Sequence, residues 1–169
     1  MGLSNAISGG IVMFGITYVL FAFSGLTDNA ASFSYISSET SDLENKLLKT
    51  SMDVTINDPP GTDTIFDFEI VNTNSEKLWE FDKFDVIITY DSSGITHTQT
   101  LIYDSVCPPV AGEWCINTWT NDVLDPEILN NGETITARVE VDNNLQTGST
   151  LIVVVSTSNG VVASVTKTV

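Results

Sequence analysis

Few residues in this chain are equipped for covalent chemistry. The one histidine, His97, stands in the alternating run Thr96-His97-Thr98-Gln99-Thr100, with no serine or cysteine motif around it. An imidazole by itself provides a proton acceptor but no nucleophile, so no triad can be assembled from it. The alternation marks it instead as an exposed strand residue. The two cysteines, Cys107 and Cys115, enclose Pro-Pro-Val-Ala-Gly-Glu-Trp. A structural zinc site takes about four ligands, more than one histidine and two cysteines supply. Two readings of the pair stay open: separate buried thiols, or a local disulfide closing a Pro-Pro-Gly loop, which would place the domain in an oxidising compartment. Asp67 and Glu69 are alternate residues of a strand-like run, the spacing of a solvated face. The acidic turns at 57–63 (NDPPGTD) and 125–133 (DPEILNNGE) carry Asp, Asn and Glu oxygens suited to calcium. Neither keeps the EF-hand register, and turn chemistry accounts for the same residues. There is no G-x-G-x-x-G, phosphate-binding loop or H-E-x-x-H motif. The chain therefore reads as a protein without a catalytic site or a cofactor.

Charge narrows the partners. Acidic residues number 22 against 6 basic ones, for a formal net charge of −16. Nucleic acid and anionic lipid headgroups both require a positive surface, so neither suits this chain. Three Trp, four Tyr and eight Phe are too many for a disordered acidic tail, and a packed core is expected.

The elements that must carry this acidic core begin with an uncharged N-terminus. From Met1 to Thr27 there is no Lys, Arg, Asp, Glu or His. Ile11, Val12, Met13, Phe14, Ile16, Val19, Leu20, Phe21, Phe23 and Leu26 dominate the apolar stretch, which with its small preceding residues is about 20 residues long, enough to span ~30 Å of hydrocarbon. A secretory signal would show a basic start, a shorter apolar run and a small-residue cleavage site. A buried soluble helix is seldom apolar on every face. Residues 1–27 are accordingly read as a retained membrane-spanning helix. The flanking charges do not decide orientation; the acidic domain and its cysteine pair favour a cytoplasmic N-terminus and an extracytoplasmic C-terminus.

Residues 28–51 change character. Phe33, Ile36, Thr40, Leu43 and Leu47 recur at intervals of 3, 4, 3 and 4, the stripe of an amphipathic helix, with acidic residues ahead of Lys46 and Lys49. This predicts a helical stalk. Its stripe (Phe33, Ile36, Leu43, Leu47) packs either on the protein's own domain or on another subunit's stalk. From Met52 the period becomes 2. Phe66, Phe68 and Ile70 oppose Ile65, Asp67 and Glu69; Phe84, Val86, Ile88 and Tyr90 oppose Asp85, Ile87, Thr89 and Asp91; Ile135, Ala137, Val139 and Val141 oppose polar neighbours. Further strands are expected at 53–57, 97–103, 114–119, 150–157 and 160–167, separated by Gly-, Pro- and Asn-containing turns. Residues 52–169 thus predict an antiparallel Greek-key, immunoglobulin-like sandwich of about seven to nine strands, in an α+β protein overall. Leu151–Val155 (LIVVV) breaks the alternation. Such a strand is either covered on its outer side or offers apolar surface to a partner, with Ile152 and Val154 as the candidate oligomer contact.

The opening MGLSNAISGGIVMFGITYVLFAFSGL and the late run NNGETITARVEV…GSTLIVVVSTSNGVVASV together resemble the type IV pilin-like proteins of archaea, in particular the F- and G-type stator accessory proteins of the archaeal flagellum. The resemblance implies a membrane-anchored helix and an extracytoplasmic sandwich that binds surface-layer or other envelope protein, together with other motility subunits. Filament-forming archaellins are similar in outline but usually start with a short basic leader and carry N-x-Ser/Thr sites. Neither feature occurs here, so an accessory protein is expected over a filament subunit. The alternative is a filament whose core is built of the apolar helices. A third class, a ligand-binding surface domain, would present a pocket lined by Trp79, Trp114 or Trp119, although tryptophans more often serve as core or loop anchors.

Overall fold

A computed structural model describes residues 2–56 and 63–169, without the side chains of residues 2–6 and 25–29. The chain forms two compact units, Met1–Glu44 and Asn45–Val169. One α-helix, α1, covers Gly2–Lys49. No acidic or basic side chain interrupts it before Asp28, and its hydroxyls turn back onto the backbone: Thr17 donates to the Met13 carbonyl at 2.9 Å and Thr40 to the Ile36 carbonyl at 2.9 Å. At its C-terminal end, which belongs to the second unit, the carbonyls are taken up by donors from residues 74–76 of that same unit. The Glu76 N–H reaches the Lys49 carbonyl at 2.9 Å, and Asn74 Nδ2 reaches that of Leu48 at 3.1 Å. Lys46 and Lys49 in the last turn complement the negative end of the helix dipole.

Eight strands follow: β1 (Met52–Thr55), β2 (Ile65–Asn72), β3 (Asp85–Ser92), β4 (Ile95–Tyr103), β5 (Glu113–Thr120), β6 (Thr134–Glu140), β7 (Thr150–Ser156) and β8 (Val162–Thr168), with a 3-10 turn at Phe81–Lys83. The order is β1-β2-β6-β5-β4-β3-β7-β8. Taken as two layers, β1-β2-β6-β5 and β4-β3-β7-β8, it reproduces the strand arrangement of an immunoglobulin sandwich. The layers join where β4 and β5 run parallel, over the two pairs Ile102–Glu113 and Tyr103–Trp114. All other neighbours are antiparallel.

The period-2 pattern places the core. Phe66, Phe68, Ile70, Val86, Ile88, Tyr90, Ile135, Ala137, Val139, Leu151, Val153 and Val155 are all buried, with Trp114 at the centre. β3 and β4 meet in a two-residue turn in which Ser93 and Gly94 both have positive φ (52° and 79°). Such a turn matches the right-handed strand twist, and a side chain at Gly94 would be strained there. In β5 the pairing to β6 slips between Ile116 and Thr118. The extra residue, Asn117, restores Trp119 to the inner face beside buried Ile135.

Two expectations need correction. His97 is not an exposed strand residue: it lies directly across from buried Tyr90 and is half-buried, the rings stacked at 5.5 Å. β4 ends a layer, so its inner face at this end is only partly roofed and accepts an amphipathic ring. The strand expected at 160–167 starts two residues later, because Gly160 (φ 86°) and its neighbours form the β7–β8 turn.

Candidate interaction surfaces

Among the described residues, the apolar side chains of the N-terminal helix are largely exposed. Ile11, Val12, Met13, Phe14, Ile16, Val19, Leu20, Phe21 and Phe23 are between 51% and 76% exposed. Successive residues of a helix are turned by about 100°, so this set clothes every side of the cylinder. Ile7–Ser24 is long and apolar enough to cross a membrane. The side chain of Leu26 lies outside the described residues. Farther along, Phe33, Ile36 and Leu43 are exposed, and Leu47 is 44% exposed.

The cysteines form a disulfide, Cys107–Cys115, with Cα atoms 5.7 Å apart. It ties the loop after β4 to β5, with Cys115 fully buried and Pro109 buried within the loop.

The outer faces of the two layers differ sharply in charge. On β1-β2-β6-β5 the outward residues include Asp53, Asp67, Glu69, Glu113 and Glu140. Arg138 grips Asp67 with two hydrogen bonds of 2.7 Å from Nε and Nη2. That contact engages the Asp67 carboxylate, and the Glu113 carboxylate accepts from the Val110 N–H at 3.4 Å. On β4-β3-β7-β8 the outward residues of β4, β7 and β8 carry no charge at all: Thr96, Thr98, Thr100, Ile102, Ile152, Val154, Val162, Ser164 and Thr166. β3 adds Ile87 and Thr89, with Asp85 and Asp91 only at its ends. Ile152 and Val154 are half-buried, flanked by Thr89 and Ile87 on one side and by Thr166 and Ser164 on the other. The two-faced run at 151–155 thus places Leu151, Val153 and Val155 in the core and Ile152 and Val154 in a neutral, β-branched outer surface.

The tryptophans divide. Trp114 is fully buried against Tyr103, ring centroids 4.9 Å apart, as a core anchor. Trp79 is 61% exposed, Trp119 is half-buried, and the two line one cleft of about 300 Å³ together with Phe81, Tyr103, Ser105, Ile116 and Glu127. No spacing in the sequence pointed to this grouping, since its members come from four separate segments.

The acidic turn at 122–133 is held by its own chain. Asp122 accepts from the Glu127 N–H at 3.2 Å, Asp125 pairs with Lys77, and the Glu133 carboxylate accepts from the Asn130 N–H at 2.7 Å and from Asn130 Nδ2 at 3.0 Å. Burial pushes the Glu133 carboxyl up, but hydrogen bonds from Asn130, Val123 and Leu124 outweigh it and hold the group below the usual carboxylate range. Turn-building thus employs these carboxylates, and among the described residues no three His, Cys, Asp or Glu groups converge on a metal position. The other acidic turn considered for calcium lies, over residues 57–62, outside the described residues.

No protein-family model and no curated protein matches the chain. Solved structures do. The archaellum periplasmic stator protein FlaG of Sulfolobus acidocaldarius is 15% identical, covering 70% of this chain and 99% of its own, with a TM-score of 0.49. The FlaF–FlaG stator complex of the same organism gives 14% identity, 68% and 87% coverage and a TM-score of 0.49. The archaeal flagellum of Methanospirillum hungatei gives 12% identity over 96% of this chain and 92% of its own, with a TM-score of 0.56. The likeness to that flagellum is one of fold and extends over 96% of this chain.

Proposed function

We propose that the chain is a membrane-tethered structural component of an archaeal motility apparatus, with its sandwich outside the membrane binding a surface-layer or other envelope protein as a stator does. One observation carries the reading. A helix apolar on every side, its described apolar side chains exposed, shares a chain with an acidic, disulfide-containing sandwich. Exposing such a helix to water is untenable, whereas in hydrocarbon its intrahelical hydrogen bonds and apolar surface are both satisfied. The strong negative charge keeps the sandwich soluble at the membrane surface, and the disulfide suits an oxidising exterior. The N-terminus then lies in the cytoplasm. Stiffness and binding are what a stator requires, and the sandwich supplies both without a reactive group. The neutral face around Ile152 and Val154 and the stripe Phe33, Ile36, Leu43 and Leu47 are the surfaces assigned to subunit contacts. The test is a membrane-impermeant amine reagent applied to intact cells. Lys77 and Lys83, more than half exposed on the sandwich, should be labelled without lysis. Labelling only after lysis overturns the topology.

A further inference from the structure

The cleft shared by Trp79 and Trp119 lies where the two layers part. β4 ends at Tyr103 while β5 runs on to Thr120 beyond the last parallel pair, Tyr103–Trp114. The far half of β5 therefore has a strand partner on the β6 side only. Ile116 and Trp119 face the resulting gap, Tyr103 and Ser105 bound it from the end of β4, and Trp79 and Phe81 close it from the segment before β3.

Each wall is held in place. Leu78 and Leu129 bridge through backbone hydrogen bonds of 3.1 and 2.8 Å, which sets Trp79 beside the 122–133 turn. Phe81 is buried and meets the Trp119 ring edge-on at 5.6 Å. Asn130 Nδ2 ties the turn down through the carbonyls of Leu124 and Ile128, at 2.7 and 3.1 Å. Within that turn Glu127 has a positive φ of 64° and Asp125 one of 48°, as does Asn121 (63°) just before it. Three non-glycine residues in the left-handed region cost energy that ordinary loops avoid. The result is a carboxylate set against a box of aromatic rings.

We propose that this cleft binds a cationic side chain, lysine or arginine, presented by a partner protein. Aromatic faces are negative above the ring plane and attract a cation that has shed part of its water, and a carboxylate at the rim adds direct Coulomb attraction. The neighbouring cations are already engaged, Lys77 with Asp125 and Lys83 with Glu80. Among the described residues none pairs with the Glu127 carboxylate. The local field is negative: burial first, and then the carboxylates of Glu127, Asp104 and Asp82, push the Tyr103 hydroxyl above its ordinary value. A neutral sugar would gain from the rings but not from this field. The inference holds whether the partner is an envelope protein or another motility subunit, so it stands apart from the stator reading.

The test uses the full chain in neutral detergent with 5-fluorotryptophan incorporated, giving three ¹⁹F signals assigned with Trp79→Phe and Trp119→Phe. The probes are acetylated, amidated tripeptides Gly-X-Gly with X as Lys, Arg or norleucine, tetramethylammonium chloride, and a neutral disaccharide. The Lys and Arg peptides should shift the Trp79 and Trp119 signals saturably while Trp114 stays fixed, and Glu127→Gln should weaken them about fivefold. The norleucine peptide should bind at least about fivefold more weakly than the Lys peptide on the same grounds. Equal binding of norleucine, no saturable shift with either cationic peptide, or a disaccharide response unaffected by Glu127→Gln would overturn the proposal. Tighter binding of tetramethylammonium than of either cationic peptide would overturn the assignment to a protein side chain. Unchanged circular dichroism of Glu127→Gln secures the comparison.

Discussion

Replacing both Cys107 and Cys115 by alanine opens a covalent ring whose ends are eight residues apart in sequence. In the chain-entropy account a loop this short restrains the unfolded chain by about 2.5 kcal/mol. Burial adds to this: Cys115 is fully buried on β5, so truncating its side chain leaves a small void, at a further cost of about 1 kcal/mol. The ring also fixes the exit of β4, where Tyr103 and Ser105 bound the aromatic cleft. For a unit of the size of Asn45–Val169, a loss of about 3.5 kcal/mol lowers the melting temperature by roughly 10–13 °C. Near-ultraviolet circular dichroism of the detergent-solubilised full chain reads this directly, with wild type under reducing and non-reducing conditions alongside the variant. Reduced wild type should melt close to the double variant and well below oxidised wild type. If oxidised wild type and the double variant melt within about 2 °C of each other, the restraint does not contribute as argued.

Four further outcomes follow from the packing. Phe68→Ala, which empties a fully buried position on β2, should cost about 3–5 kcal/mol in denaturant unfolding. Glu133→Gln should destabilise the chain at neutral pH. Because the folded carboxyl lies below its unfolded value of about 4.3, its contribution is complete above that pH and is lost as pH falls through the folded value, so the gap to wild type should close in acid. Joint replacement Ile152→Lys and Val154→Lys should leave the melting temperature within a few degrees and abolish any self-association seen by light scattering, since both side chains face outward from a paired strand. A double-mutant cycle on Asp67 and Arg138, each about one-third exposed, should return no more than about 1 kcal/mol.

The sandwich was readable because its strands alternate cleanly. Phe66-Phe68-Ile70 and Ile135-Ala137-Val139 each commit one face to the core, and a slip of one residue would bury their acids and threonines. The run Leu151–Val155 was legible as two-faced, but which face meets the core is set by its pairing with β3 and β8. His97 was misplaced for a related reason: the alternation of β4 is weak, and only the register opposite Tyr90 reveals which face is the inner one. The cysteine pair left two readings that only spatial proximity resolves. The aromatic cleft was least visible. Trp79, Tyr103, Trp119 and Glu127 meet through a parallel seam, a bulge at Asn117 and a turn with left-handed residues, and none of these has a signature in local spacing.

What the exposed apolar helix meets is settled most directly by shearing native cells and following the full-length protein between membranes and released filaments. A permanently tethered stator component stays with the membranes after shearing and leaves them only with detergent. Recovery of the protein in sheared filaments, with electron microscopy showing it as their repeating subunit, would contradict the account and assign the helix to a filament core.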